Sequence, residues 1–435
     1  MSIVTLLVGW RPSSISPILA LVAALAAGGA CAPMPPAAAG GAGGAPDTVR
    51  LLGASAVWAG TWPPLDGVRV GSLSALAYEP ASRRWMTASD DVVRPRLLWF
   101  DVSRSASLDP RPVDVTFITA GPGAPPDALT ALDMEGLAVL GDGSLALSHE
   151  GHVDRRGVAH QPQVLFATRG GVVTGGVRPR DRFTIDPADR THGVRHNLGL
   201  ESLTRTPDGR LVSGLEQPLA QDGPVSSAAR GGVVRLVEFL PGPPAWRPGR
   251  EWAYQLEPTP GVAGYGPACE DGENGLSDLL ALTDTTFLAI ERACLRGAEG
   301  APAYNPVRLF EVTIDGADDV SGLESLAGVA PVLARKRLVV DLARWRPRLP
   351  PALATLSNFE GIAIGPPGPG GEATVMLVSD DNFRPTQTTA FLWLALAAPA
   401  AGPGLTPAGG SPRRGPWRSA WAWPGPPRDT GAGAR

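Results

Sequence analysis

Apolar residues along this chain come in short runs broken by turns, and five pairs of runs follow one pattern. The segments are SALAYEPASRRWMTASDD (74–91), EGLAVLGDGSLALSHE (135–150), ESLTRTPDGRLVSGLE (201–216), SDLLALTDTTFLAIE (277–291) and EGIAIGPPGPGGEATVMLVSDD (360–381). Each opens on Glu or Ser, runs through an apolar strand, turns, and returns through a second strand to an acid. In GDGS and PDGR the glycine accepts positive φ, so both read as hairpin turns. A third strand follows each hairpin, at 96–102, 163–169, 233–239, 307–314 and 389–396. Fourth-strand candidates lie at 113–119, 251–257 and 336–342, and less clearly in GGVVTGGV after residue 170.

Four antiparallel strands repeated about an axis predict an all-β fold, a β-propeller of four-stranded blades. The last repeat lacks a fourth strand of its own, and TVRLLGASAV (48–57) is placed to supply it and close the ring. The repeats are longer than the ~40–50 residues usual for propeller blades. The excess in 151–162 and 178–198 leaves room for a sixth, degenerate blade, so five and six both stay open on this reading.

Hairpin geometry gives the acids a meaning. The start of a first strand and the end of its antiparallel partner lie at one end of the hairpin. With the first strand innermost, Glu135/Glu150, Glu201/Glu216 and Glu360/Asp380 face one mouth of the central channel, joined by Asp90, Asp278 and Glu291. Carboxylates so gathered raise one another's pKa values, and a hard cation relieves the repulsion. Ca²⁺ suits clustered carboxylate and carbonyl oxygens. The candidate metal ligands are therefore Glu135, Glu150, Glu201, Glu216, Glu291, Glu360, Asp380 and Asp381. Any one of these acids is as simply explained by capping its hairpin or facing water; the recurrence is what favours a cation.

Composition supports a chain of turns. Gly (54) and Pro (46) together approach a quarter of the 435 residues, which favours short strands over long helices. A net charge of −4 gives no reason to expect nucleic acid or an anionic membrane surface as partner. Residues 1–31 read as an export signal: Arg11 precedes the apolar run 17–27, and GGAC ends at Cys31. Gly28 stands where a lipoprotein box usually has Leu, so a lipid anchor on Cys31 and free secretion to the periplasm or beyond are both open. Residues 32–47 read as a tether, 48–397 as the propeller and 398–435 as a disordered Ala/Gly/Pro/Arg-rich tail. In an oxidising compartment Cys269 and Cys294 are expected to pair, two unrelated buried thiols being the alternative.

The five histidines (His149, His152, His160, His192, His196) form no complete ligand motif, and solvent-exposed loop positions are the expectation. Neither a GxSxG elbow nor a phosphate loop nor a dinucleotide fingerprint occurs. Hydrolysis by metal-activated water is then the better mechanism, and it needs cationic groups on the transferred group. Arg292 and Lys336, the chain's only lysine, are the candidates to bind phosphate oxygens, with Glu201 and Glu360 completing the catalytic set. Strand alternation turns Glu291 and Arg292 to opposite faces, so Arg292 packing between blades is the competing reading. Lys336, flanked by Arg335 and Arg337, is equally readable as part of a solvated charge run.

The motifs DMEGLAV, NLGLESLTRTPDG, FLAIERA, RKRLVVDL, NFEGIAIG and LVSDDNF, followed by QTTAFLWL, occur in that order. Together they resemble the bacterial phytase-like family, described as having esterase-like activity, over residues from about 50 to 396. The resemblance implies an extracytoplasmic propeller hydrolysing phosphate or other esters. Its matching positions are Glu135, Asn197, Glu201, Glu291, Arg292, Lys336, Asn358, Glu360, Asp380, Asp381, Asn382 and Gln387. Ser277-Asp278 departs from the Glu-led motif at the fourth repeat. The expectation is a monomeric Ca²⁺-dependent phosphoester hydrolase acting on a small substrate. A metal-dependent lactonase or carboxylic esterase, or a non-catalytic binding propeller with a structural cation, are the alternatives.

Overall fold

The computed structural model describes residues 49–104, 107–243, 245–269, 273–299 and 301–396. The leader with Cys31, the tether and the C-terminal tail lie outside the described residues. Strand β1 (Val49–Trp58) begins the described chain. Blade 1 then runs β2 (Leu73–Glu79), β3 (Arg84–Ser89), β4 (Arg96–Ser103) and β5 (Asp109–Phe117). Blade 2 gains β6 (Thr119–Ala120) at its outer edge and contains β7 (Met134–Val139), β8 (Leu145–His149), β11 (Gln163–Ala167) and β12 (Val172–Val177). Between β8 and β11 stands a separate two-stranded ribbon, β9 (His152–Val153) and β10 (Ala159–His160). Blade 3 consists of β13 (Thr204–Arg205), β14 (Leu211–Gly214), β15 (Val233–Leu240) and β16 (Arg247–Gln255). Blade 4 consists of β17 (Gly275–Ala281), β18 (Thr286–Arg292), β19 (Val307–Thr313) and β20 (Arg335–Asp341). Blade 5 is β21 (Asn358–Gly365), β22 (Ala373–Asp380), β23 (Thr388–Leu396) and, last, β1.

The protein is thus a five-bladed β-propeller, and no sixth blade hides in the long loops. Residues 151–162 hold only β9 and β10, and 178–198 only the 3₁₀ turn Asp181–Phe183. The ring closes as the leftover strand suggests, with β1 pairing antiparallel to β23 from Val49↔Leu396 to Trp58↔Thr388. The first strand of every blade is the inner one, since β2, β7, β13, β17 and β21 contact one another in cyclic order.

Apolar side chains on both faces of these strands pack between neighbouring blades. Ala75, Met86 and Leu97 meet Leu147 and Leu165 across the seam of blades 1 and 2. Val164, Val234, Trp252 and Phe287 join blades 2, 3 and 4, while Leu288, Leu309, Leu377 and Leu392 join blades 4 and 5. Leu76, Trp85, Met376 and Phe391 close the seam from blade 5 back to blade 1. Truncating a core Leu of this kind to Ala costs ~2–5 kcal/mol, so the seams hold the inner strands, and with them the mouth, in place. Cys269 and Cys294 are joined by a disulfide, with their Cα atoms 5.4 Å apart. The bridge ties the segment ahead of β17 to the end of β18, two residues beyond Arg292. Among the described residues no helix is long and apolar enough to cross a membrane.

Candidate functional site

One register slip recurs in the inner hairpins. In blade 1 pairing passes from Leu73↔Ser89 to Ala75↔Ala88, leaving Ser74 as a bulge. The same slip leaves out Glu135 in blade 2, Ser277 in blade 4 and Glu360 in blade 5. In blade 3 the register advances by one between Leu200↔Leu215 and Thr204↔Val212, around Glu201. A bulge re-aims the side chain it frees. Two tiers of equivalent positions result, with Ser74, Glu135, Glu201, Ser277 and Glu360 on the bulges. The second tier, one residue past the partner of the pre-bulge position, is Asp90, Glu150, Glu216, Arg292 and Asp380. In the two blades with a bulge serine, the hydroxyl donates to the next inner strand, Ser74 to the Met134 carbonyl and Ser277 to that of Phe359.

The tiers converge. Ligand oxygens of Asp90, Asp133 and Glu135 lie within 4.8 Å of one another, and so do those of Glu150, Glu201 and Glu216. Arg292 stands among the rest: its Nη2 is 2.6 Å from Glu360 Oε1 and 3.5 Å from Glu201 Oε1, and its Nη1 is 3.2 Å from Glu216 Oε1. Asn358 Nδ2 also donates to Glu360 Oε1 at 2.7 Å. Glu150 Oε1 accepts from the Gly199 N–H, but no donor reaches Glu150 Oε2 among the described residues. Gly199 and Gly275 are required here, because a Cβ would lie 2.1 Å from the Glu150 carbonyl oxygen or 2.6 Å from Glu216 Cγ.

Burial and crowding set the ionisation. Burial, and then the neighbouring carboxylates, push Asp90, Glu135, Glu150 and Glu201 well above the usual carboxylate range. Burial raises Glu360 to about 8 and Asp380 to about 6, although Arg292 draws both down. Burial also opposes the charge on Arg292, yet Glu216, Glu360 and Glu201 hold it above its ordinary value. Asp133 is the exception: its burial is outweighed by His152 and by a hydrogen bond with Asp90, which keep it below its usual value.

The family model described as "Esterase-like activity of phytase" matches residues 68–383, spanning all five inner hairpins of this ring. The chain belongs to the phytase-like family. No curated protein matches it in sequence. Among solved structures it is similar to a hypothetical protein from Leishmania major, with TM-score 0.40 and 11% identity, over 81% of this chain and 92% of that one. It is also similar to a β-1,3-galactosidase, with TM-score 0.34 and 9% identity, over 78% of this chain and 94% of that one. Likeness at that level carries no functional argument.

The phytase-like ring contains Glu135, Glu150, Glu201, Glu216, Glu360 and Asp380 of the residues singled out in the sequence. Arg292 faces the acids rather than packing between blades, whereas Glu291, expected among the metal ligands at the mouth, packs between blades 3 and 4. There Glu291 accepts from Tyr254 Oη at 2.6 Å, Asn274 Nδ2 at 2.7 Å and the Glu257 N–H at 2.9 Å. Lys336 joins it in an ion pair, lies 3.0 Å from Glu257 and stands 4.3 Å from the centre of the Phe310 ring. This pairing on the outermost strand corrects the solvated-charge reading of Lys336 and keeps it away from the ring.

Asp381 also turns from the ring. It accepts from the Ser72 N–H at 2.9 Å, the Phe383 N–H at 2.9 Å and Thr389 Oγ1 at 2.8 Å. Asp278 bridges blades 4 and 5 by accepting from the Leu279 and Ile362 N–H groups, each at 2.7 Å. Asn197 and Asn382 hold left-handed turns (φ 54° and 47°), which Asn tolerates, and the Gln387 carbonyl accepts from Ala59 beside the closing strand. Asp133 escaped the sequence reading because it precedes its strand; its signal is the first letter of DMEGLAV.

The donor set distinguishes the two acidic groups. Arg292 ion-pairs with Glu201 and Glu216 in one, whereas no Arg or Lys ion-pairs with Asp90, Asp133 or Glu135 among the described residues. Oxygen donors alone, close together and without a cationic side chain, fit a hard divalent cation.

Proposed function

We propose that this chain is an exported, metal-dependent hydrolase of phosphate esters, with a cation, Ca²⁺ by its donors, held by Asp90, Asp133 and Glu135. The observation that supports this reading is the charge imbalance: eight acids in and around the two tiers face one ring arginine. A bound cation would polarise a phosphoryl oxygen and lower the pKa of a coordinated water. Arg292 orients Glu201, Glu216 and Glu360 and keeps positive charge beside them. Glu360, which burial raises to about 8 in the metal-free ring, is the candidate to give a proton to the leaving group.

A second reading has its own support. Apart from half-buried Asp90, the ring acids expose little surface, from 1% at Glu150 to 8% at Glu135, which favours a small ion over a bulky substrate. In that reading the cation is structural and the propeller binds a partner or ligand. Phosphate release from phytate and p-nitrophenyl phosphate, with and without chelator, separates the two. Chelator-sensitive release supports the hydrolase. Hydrolysis of carboxylic esters or lactones alone redirects it to that ester class. No turnover, with thermal stability lost on chelation, leaves the structural cation.

A further inference from the structure

Three of the five histidines are buried, contrary to the expectation of solvated loop positions, and only His192 and His196 are exposed. Ring centres lie 5.9 Å apart for His149 and His152, and 4.9 Å for His152 and His160. The ribbon of β9 and β10 brings two of them together, since His152 pairs directly with His160 and residues opposite on a ribbon share a face. Its turn is held by Asp154, whose Oδ1 accepts from the Arg156 and Val158 N–H groups. The Val153 N–H donates to His196 Nδ1 at 3.2 Å, tying the ribbon to the loop that leads into blade 3.

His149 and His152 both end on Asp133, which stands one residue before β7. The Asp133 carbonyl accepts from the Glu150 N–H at 3.1 Å, and the Asp133 N–H donates to His149 Nδ1 at 3.1 Å. An N–H only donates, so Nδ1 is the acceptor and the His149 proton sits on Nε2. Burial holds His149 down to about 4, so the ring is neutral near pH 7 and keeps that lone pair. His152 reaches the side chain instead. Its Nδ1 lies 3.3 Å from Asp133 Oδ2, off the angle of a hydrogen bond, and this buried nitrogen has no other partner among the described residues. Two lone pairs would repel at that separation, so the His152 proton belongs on Nδ1, aimed at the carboxylate.

We propose, resting on the reading of Asp90, Asp133 and Glu135 as a cation site, that His149 and His152 are its positioning residues. His149 holds the main chain of Asp133 and His152 holds its carboxylate. Neither is a ligand: His149 Nδ1 is occupied by the Asp133 N–H, and His152 presents a proton rather than a lone pair. A ligating carboxylate needs outer partners to fix its orientation, and losing one typically costs about 10–100-fold in metal affinity. The role of the ribbon is then to set His152 against Asp133, with the His160 ring packed on it.

Calorimetric titration of the metal-free full chain with Ca²⁺ tests this. His152→Phe keeps a ring in place but removes the donor, and should weaken Ca²⁺ at least about tenfold. His149→Phe, which leaves the Asp133 N–H without its acceptor, should act in the same direction. His152→Asn, whose side-chain amide stands where Nδ1 does, should recover most of the affinity, a rescue that lost packing alone would not give. Nitrogen NMR of the imidazoles in chelator should show His149 protonated on Nε2 and His152 on Nδ1. Unchanged Ca²⁺ affinity in His152→Phe, with Glu135→Gln still lowering it, overturns this proposal and leaves the cation site standing. A loss in His152→Phe that Asn does not restore, or His149 protonated on Nδ1, also overturns it. A parent chain that binds no Ca²⁺ overturns the cation reading and the positioning role together.

Discussion

Arg292 on blade 4 holds the register position that Glu150 holds on blade 2. Each follows the residue paired with the last position before the bulge, Glu291 with Leu276 and His149 with Met134. Blade 4 is therefore inverted in sign at its channel end, and its bulge residue is Ser277 where blades 2, 3 and 5 place Glu. The two substitutions act together. A ring with acids at every position would carry its repulsion unrelieved, and the guanidinium supplies an internal counter-charge to Glu201, Glu216 and Glu360.

Replacing that arginine should make folding depend on added cation. Arg292→Met leaves three buried carboxyls without their partner, and breaking a buried ion pair on one side costs ~3–5 kcal/mol. Urea unfolding in chelator should show a loss of that size, and Ca²⁺ should recover part of it. Equal stability of variant and parent in chelator would show that the acids are relieved by some other means.

Glu291 and Glu135 carry the same charge and should fail differently. Glu291→Gln leaves Lys336 only Glu257 as an ion-pair partner and weakens the bonds from Tyr254 and Asn274, so unfolding should become easier by ~1–3 kcal/mol with Ca²⁺ binding intact. Glu135→Gln removes a proposed ligand oxygen and relieves repulsion, so Ca²⁺ affinity should fall while the metal-free protein gains stability. Calorimetric titration and melting curves on both variants check the pair; Ca²⁺ affinity lost in Glu291→Gln but kept in Glu135→Gln reverses the assignment.

This difference between neighbours marks where sequence reading reached its limit. Alternation and the Asp-Gly turns at 142–143 and 208–209 made the hairpins legible, and a strand without a blade at 48–57 made the closure legible. Strict alternation also says that Glu291 and Arg292 face opposite ways. Which one faces the channel depends on the bulge at Ser277, a backbone defect with no residue type of its own. The ribbon that gathers His152 and His160 was hidden for a related reason: strands of two residues leave no periodic pattern to detect.

Adjacent Asp380 and Asp381 should separate in the same manner. Asp381 fills a pocket of backbone donors closed by Gly71, where φ is 144° and a Cβ would lie 2.7 Å from Asp381 Oδ2. Gly71→Ala and Asp381→Asn should each destabilise the fold by ~1–3 kcal/mol, through strain and lost charge-assisted bonds respectively. Asp380→Asn should instead alter Ca²⁺ affinity with little change in the melting temperature of the metal-free chain. A large melting shift in Asp380→Asn with none in Asp381→Asn would contradict both roles.

Stability of the metal-free protein should fall as pH rises above neutrality. Glu360 has a folded pKa of about 8 against an ordinary 4.5, so between those values the native state holds a proton that the unfolded chain has lost. Unfolding then becomes easier with each rise in pH across that window. Asp380 acts in the same direction from 3.8 to about 6. His149 opposes them: its folded pKa of about 4 lies below the ordinary 6.5, so stability rises with pH between those values as the unfolded chain loses its proton. The clearest window is from pH 6.5 to 8, where His149 no longer contributes and Glu360 is still titrating. There the unfolding free energy in chelator should drop by on the order of 2 kcal/mol. Glu360→Gln should shrink the drop, and saturating Ca²⁺ should flatten it if the cation holds the ring acids ionised in the native state. An unfolding free energy that stays level or climbs across this window in chelator would show that Glu360 is ionised in the folded ring.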